Sequence, residues 1–130
     1  MKNYVLFALI IGILFVAGCS KSESEPTFSP PSWIKGSWVQ TSNIFGEDVD
    51  GGYKFTSDGI YLILASQLID ANLGQDPTAA EETNSDSEYT FKFTINDVLT
   101  SITCVPGSAS DEIECTANST TTVYSYSLDY

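Results

Sequence analysis

Between Tyr89 and Ile95 the chain alternates strictly, with Tyr89, Phe91, Phe93 and Ile95 separated by Thr90, Lys92 and Thr94. A period of two puts the four large apolar side chains on one face of a pleated strand, whereas a helix would scatter them around its axis. The segment therefore predicts a half-buried strand. Asn96-Asp97 follows, a pair that tolerates the positive φ angles of a two-residue hairpin turn. Such a turn opposes Ile95 to Val98, Phe91 to Ile102 and Tyr89 to Cys104, and so carries the apolar face into a second strand.

A second hairpin is predicted around Asp58-Gly59, where Tyr53 to Ser57 and Ile60 to Leu64 flank the turn. A two-residue loop sets Ser57 opposite Ile60, Phe55 opposite Leu62 and Tyr53 opposite Leu64. Between the hairpins, Leu64, Leu68, Ile69 and Leu73 fall near helical spacing, with Ser66 as N-cap and Gly74 as terminator. One short helix is expected from about Gln67 to Leu73. Gln75 to Glu88 reads as a mobile acidic loop.

The first 19 residues have a different logic. Lys2 precedes an uncharged apolar run from Tyr4 to Ala17, which ends at Gly18 and Cys19. This is the layout of a secretory signal, and the run is shorter than the roughly 18 to 20 apolar residues of a membrane span. Val16-Ala17-Gly18-Cys19 resembles the lipobox of bacterial lipoproteins. The resemblance implies cleavage after Gly18, diacylglycerol on the Cys19 sulfur and a further acyl chain on the new amine. Each buried methylene of such an anchor contributes roughly 0.8 kcal/mol. The plainer alternative is an ordinary signal peptide, residues 1 to 18, with an incidental cysteine. Ser20 stands where an aspartate would favour inner-membrane retention in enteric bacteria, so the resemblance implies the outer membrane. Glu23 and Glu25 are similar to the acids behind the cysteine of surface-exported lipoproteins, although a solvated linker uses the same residues. Residues 19 to 31, acidic and rich in serine and proline, read as a tether.

With Cys19 assigned to lipid, as the resemblance implies, Cys104 and Cys115 remain as an even pair in a chain that leaves the reducing cytosol. A disulfide is expected between them, contributing about 2 to 3 kcal/mol. As a cross-strand pair it sets Ile102 against Ala117. A tight turn at Asn118-Ser119 then sets Ile113 against Tyr124 and Cys115 against Thr122. Three registers thus agree on one inward face through four strands, the concord of local and global pattern expected of a foldable chain.

The residues after Gly18 carry all 17 acids of the chain. Their only cations are Lys21, Lys35, Lys54 and Lys92, a side-chain balance of 4 − 17 = −13. Such a surface repels nucleic acid. No histidine exists, so a Ser-His-Asp or Cys-His arrangement is excluded; paired carboxylates can act on glycosides, yet most of the acids sit in tether, loops or outward positions, where charge is ordinarily solvation. The chain reads as a non-enzyme without cofactor. The acidic loop Glu47-Asp48-Val49-Asp50-Gly51 invites a calcium reading. An EF-hand would need ligands at Gly46 and Ser57, so a solvated strand connection without metal is the better account.

Gly36-Ser37-Trp38, placed after Trp33-Ile34, resembles the Gly-x-Trp motif near the start of lipocalins and of the smaller lipocalin-like domains of bacterial lipoproteins. The resemblance covers residues 32 to 130 in outline, and its motif comprises two fixed residues. It implies an antiparallel β-barrel whose floor is closed by the tryptophan and whose interior takes a small apolar ligand. The chain has no arginine to pack over Trp38 as in that family, and about seven strands are read where a full barrel has eight. The expected fold is therefore all-β, a small antiparallel meander forming a barrel or half-open barrel, lipocalin-like, with one short helix. Trp38 as a simple core residue stands beside this reading.

Under these registers Tyr53, Phe55, Tyr89, Phe91, Phe93, Tyr124 and Tyr126 project inward. With Trp38, the set Tyr53, Phe55, Phe91, Phe93, Tyr124 and Tyr126 forms the candidate ligand-binding residues, able either to line an apolar pocket or to fill a narrow barrel. Two functions follow. One is a membrane-anchored module that binds a small apolar or amphipathic molecule. The other is a surface interaction module with a filled core, whose acidic loops meet a protein partner.

Overall fold

Four hairpins turn on two residues of positive φ: Phe45-Gly46, Ala65-Ser66, Asn96-Asp97 and Asn118-Ser119. In the computed structural model, which describes residues 27–130, these turns help to order nine strands into one antiparallel sheet. The strands are β1 (Gly36–Ile44), β2 (Glu47–Phe55), β3 (Ile60–Leu64), β4 (Gln67–Leu68) and β5 (Ala80–Asn84). They continue with β6 (Tyr89–Ile95), β7 (Val98–Pro106), β8 (Glu112–Ala117) and β9 (Thr120–Ser127), and short 3₁₀ turns occupy Ser32–Ile34 and Leu73–Gln75. The order across the sheet is β4-β3-β2-β1-β9-β8-β7-β6-β5. Because every neighbour is antiparallel, all four tight turns lie at the same end of the sheet.

The C-terminal registers are those expected from the sequence. Phe91 faces Ile102 and Tyr89 faces Cys104 across β6 and β7, while Cys104 faces Cys115 and Ile102 faces Ala117 across β7 and β8. Ile113 faces Tyr124 and Cys115 faces Thr122 across β8 and β9. The Cys104–Cys115 disulfide is formed, with Cα atoms 4.1 Å apart.

The Asp58-Gly59 hairpin keeps its faces but not its register. Phe55 pairs with Ile60 and Tyr53 with Leu62, so Thr56 to Gly59 form a four-residue loop, closed by Thr56 N–H donating to Gly59 O at 2.9 Å. A shift of two residues preserves side-chain parity, which is why the apolar face survives. The extra residues are held by Asn72, which accepts from Ile60 N–H at 3.2 Å and donates to the Asp58 carbonyl at 3.2 Å.

Three further expectations are corrected. The helix over Gln67 to Leu73 does not form: Gln67 and Leu68 pair with Leu64 and Ile63, and Asn72 accepts from Gly74 N–H to begin the 3₁₀ turn. A helix of two turns scarcely repays its nucleation, whereas the positive φ values at Ala65 and Ser66 return the chain directly to a strand edge. Gln75 to Glu88 is not one loop, since β5 pairs with β6. The sheet has nine strands, not about seven, and it is not closed into a barrel: β4 and β5 are its two edges.

The open sheet nevertheless curls. Five steps of about 4.8 Å separate β2 from β6 along the sheet, roughly 24 Å if it were flat. Yet the rings of Phe55 and Phe91 are 5.8 Å apart, and those of Tyr53 and Phe91 6.1 Å. The inner face is thereby folded onto itself around Phe28, Phe55, Tyr89, Phe91 and Ile102, all at most 2 % exposed.

Phe28 belonged to the expected tether. Instead it is fully buried against Phe91, with ring centroids 5.8 Å apart, and Pro30 is buried too. Ser29 N–H donates to Glu81, Asn84 donates to the Ser29 carbonyl at 2.8 Å, and Trp33 donates to the Ser85 carbonyl at 2.8 Å. Residues 27–31 thus belong to the folded domain and run along the edge strand β5. The signal peptide, Cys19 and the tether as far as residue 26 lie outside the described residues. Among the described residues, no helix is long and apolar enough to cross a membrane.

On the outer face Ile63 is fully buried, although it stands apart from the inner core. Tyr130 crosses this face: its backbone oxygen accepts from Ser37 Oγ at 3.0 Å, and its hydroxyl donates to Asp50 at 2.8 Å. Gly52, between the paired Val39 and Ile63, has no room for a side chain, since a Cβ would lie 1.9 Å from the Trp38 carbonyl oxygen.

Candidate functional site

The distal half of the β1–β2 hairpin stands apart from the strands on either side. β9 pairs with β1 only at Ser37 to Val39, and β3 pairs with β2 only from Gly52 to Phe55. Beyond Val39, β9 continues to Thr120 beside β8 but parts from β1, and β3 turns back at Ala65-Ser66, so the distal half of the hairpin stands clear of the packed core. Its inward residues are Gln40, Ser42 and Ile44 on β1, and Val49 and Gly51 on β2, smaller than the aromatics nearer the middle.

The result is a cleft of about 360 Å³ on the inner face. Tyr53 and Tyr124 form its end toward the core, Ile44, Val49, Leu62 and Leu64 supply apolar walls, and Gln40 and Ser42 supply neutral polar groups. Its volume lies near the lower limit for small-molecule pockets, which combine apolar walls with a few placed polar groups. The cleft opens at the end of the sheet that carries the tight turns, beside the fully exposed ring of Phe45.

The two tyrosines are coupled. Their rings are 5.6 Å apart in edge-to-face contact. Burial, followed by the charge and hydrogen bond of Tyr124, raises the Tyr53 pKa above its ordinary value. Burial also raises Tyr124, opposed by hydrogen bonds to Thr122 and Tyr53. Both phenols stay neutral near physiological pH and retain donor and acceptor capacity.

Of the residues nominated from the sequence, Tyr53 and Tyr124 line the cleft. Phe55, Phe91 and Phe93 are packed against one another and their neighbours, at most 3 % exposed. Trp38 is also buried, donates to the Ile34 carbonyl at 2.7 Å, and meets Tyr126 edge-on at 5.3 Å. Tyr126 lies over Gly36, away from the cleft, where any side chain at the glycine would strike its ring. Trp38 instead borders a second cavity of about 260 Å³ with Trp33, Ile113 and the loop from Pro106 to Ser110.

The sequence reading passed over Gln40, Ser42, Ile44 and Val49. Gln40 to Asn43 are polar on both faces, so no apolar alternation marked the strand, and a Phe-Gly turn does not announce a hairpin. For the same reason Glu47 to Gly51, expected as a solvated loop, is the first half of strand β2. Its acids are engaged along the strand pair: Asp48 accepts from Asn43 at 2.9 Å, and Asp50 from Thr41 at 2.6 Å. Among the described residues, no group of three or more histidine, cysteine or acidic side chains is placed to hold a metal ion.

Comparison of the chain with protein-family models, curated proteins and solved structures finds no match.

Proposed function

We propose that this chain is a lipid-anchored lipoprotein of the cell envelope, on the outer membrane, whose lipocalin-like β domain binds a small apolar or amphipathic molecule without catalysis. The observation that carries the reading is the cleft of about 360 Å³ between the distal half of the β1–β2 hairpin and β3, with Tyr53 and Tyr124 at its inner end. Apolar walls beside neutral hydroxyls suit a ligand with one greasy and one polar part. Support for the anchor comes from Val16-Ala17-Gly18-Cys19, and support for the export route from the Cys104–Cys115 disulfide.

Mass spectrometry of the membrane-extracted protein tests the anchor: the reading expects an N-terminal peptide beginning at an acylated Cys19. An unmodified Cys19 or an uncleaved N-terminus would remove it. Calorimetric titration with envelope lipid extracts tests the cleft, through saturable binding that weakens when Gly51→Leu fills it.

A second reading, a surface interaction module without a small ligand, draws on the solid packing of Phe55, Phe91 and Phe93 where a ligand-filled barrel would be hollow. Its expected contact is the acidic hairpin. Salt-sensitive capture of one envelope protein, lost on neutralising Glu47, Asp48 and Asp50, would favour it over the cleft.

A further inference from the structure

We propose that the cleft selects an uncharged amphiphile, a short acyl or alkyl chain with a hydroxyl, ester or ether head group, and rejects the corresponding carboxylate or phosphate. This deepens the ligand-binding reading and rests on it.

The argument begins with what is missing from the walls. Among the described residues, no lysine lines the cleft. Of the three described lysines, Lys92 pairs with Glu82 at 3.2 Å on β6, Lys54 points to the outer face, and Lys35 precedes β1 at the opposite end from Ile44. An anionic head group entering here would lose its water and gain no cation, the costly case of a buried unpaired charge. The approach is unfavourable too, because Glu47, Asp48 and Asp50 share the hairpin that forms one wall and the chain carries a net charge of −12.

A cationic head group finds no better partner. Asp50 is the acid nearest the cleft, but it shares the outer face with Thr41, and its carboxylate accepts there from Thr41 at 2.6 Å and from Tyr130 at 2.8 Å. The remaining polar groups are neutral: the phenols of Tyr53 and Tyr124, the amide of Gln40 and the hydroxyl of Ser42. Together they can donate to an ester or ether oxygen and accept from a hydroxyl. Ile44, Val49, Leu62 and Leu64 would take the chain.

The test uses the full protein in its own membranes with two photoreactive probes of equal chain length, a diazirine-bearing 1-decanoylglycerol and the matching decanoate, at neutral pH. Crosslinked peptides are identified by mass spectrometry. The neutral probe is expected to label the β1–β3 segment saturably, and the carboxylate at least about tenfold less, the factor that corresponds to about 1.4 kcal/mol. In a Leu64→Lys variant, which places a cation at a half-exposed wall position, the carboxylate should gain labelling and the preference should narrow or reverse. Equal labelling of the unaltered protein by both probes would overturn the neutral-head inference and leave the cleft as a ligand site. Saturable labelling of β1–β3 by neither probe would overturn the cleft reading itself.

Discussion

The Tyr89 hydroxyl donates to Glu81 Oε1 at 2.7 Å, tying a fully buried ring on β6 to the edge strand β5. The same carboxylate oxygen accepts from Ser29 N–H, so one side chain joins the core, the sheet edge and the N-terminal segment that seats Phe28. Glu81→Ala strands the phenol and frees that segment, and should lower unfolding free energy by about 1 to 3 kcal/mol in a urea titration. Combining it with Tyr89→Phe should cost less than the sum of the two single changes, because the second leaves no orphaned hydroxyl. Additive losses would show that the pair does not act as a unit.

Tyrosines should govern the alkaline limit of stability. Tyr53 and Tyr89 are both raised chiefly by burial, with Tyr124 adding to the first and the hydrogen bond and charge of Glu81 to the second. In the unfolded chain these phenols ionise near pH 10. Below that value the stabilisation is fully present; above it the unfolded state releases protons that the native state retains, so stability falls as pH rises. Denaturant midpoints measured from pH 7 to 11.5 should be level up to about pH 9.5 and then decline. The decline should be shallower in Tyr53→Phe and Tyr89→Phe.

The Cys104–Cys115 bridge closes a short loop across β7 and β8, with a sequence separation of 11. Loop-closure entropy gives it about 2 to 3 kcal/mol. Urea denaturation with and without a reductant should differ by that amount, with the reduced form still folded at low denaturant if the inner face carries most of the stability. Both sulfurs lie in the buried face, so reduction of the native protein should be slow until it unfolds.

Phe45 is a costly occupant of its turn. Its φ of 55° belongs to the left-handed region and its ring is fully exposed, whereas the two C-terminal turns begin with Asn96 and Asn118. The left-handed region costs an ordinary L-residue about 1 to 2 kcal/mol, and asparagine less. Phe45→Asn should therefore raise stability by about 0.5 to 1 kcal/mol in thermal or chemical unfolding. If the ring serves the mouth of the cleft, the same substitution should weaken ligand binding while it stabilises the fold.

The sequence by itself determined the all-β class, the inward face of β6 through β9, three of their registers and the disulfide. These rest on local rules: period-two alternation, asparagine-led turns and a cysteine pair, each confined to neighbouring strands. It also determined that Tyr53 and Tyr124 share a face, because parity survives the two-residue shift at Asp58-Gly59. Tertiary structure decided the remainder. The Phe45-Gly46 turn, which makes β2 of an apparent acidic loop, is stabilised by pairing along the whole of β1 and not by its own residues. The short β4 forms on an Ala65-Ser66 turn whose residues do not favour positive φ, and β5 pairs with the next strand, β6, while its outer side is met from afar by Phe28 and Ser29. The cleft belongs to this second class: it arises where β1 parts from β9 beyond Val39 and β3 ends early, a divergence between strands that no single segment encodes.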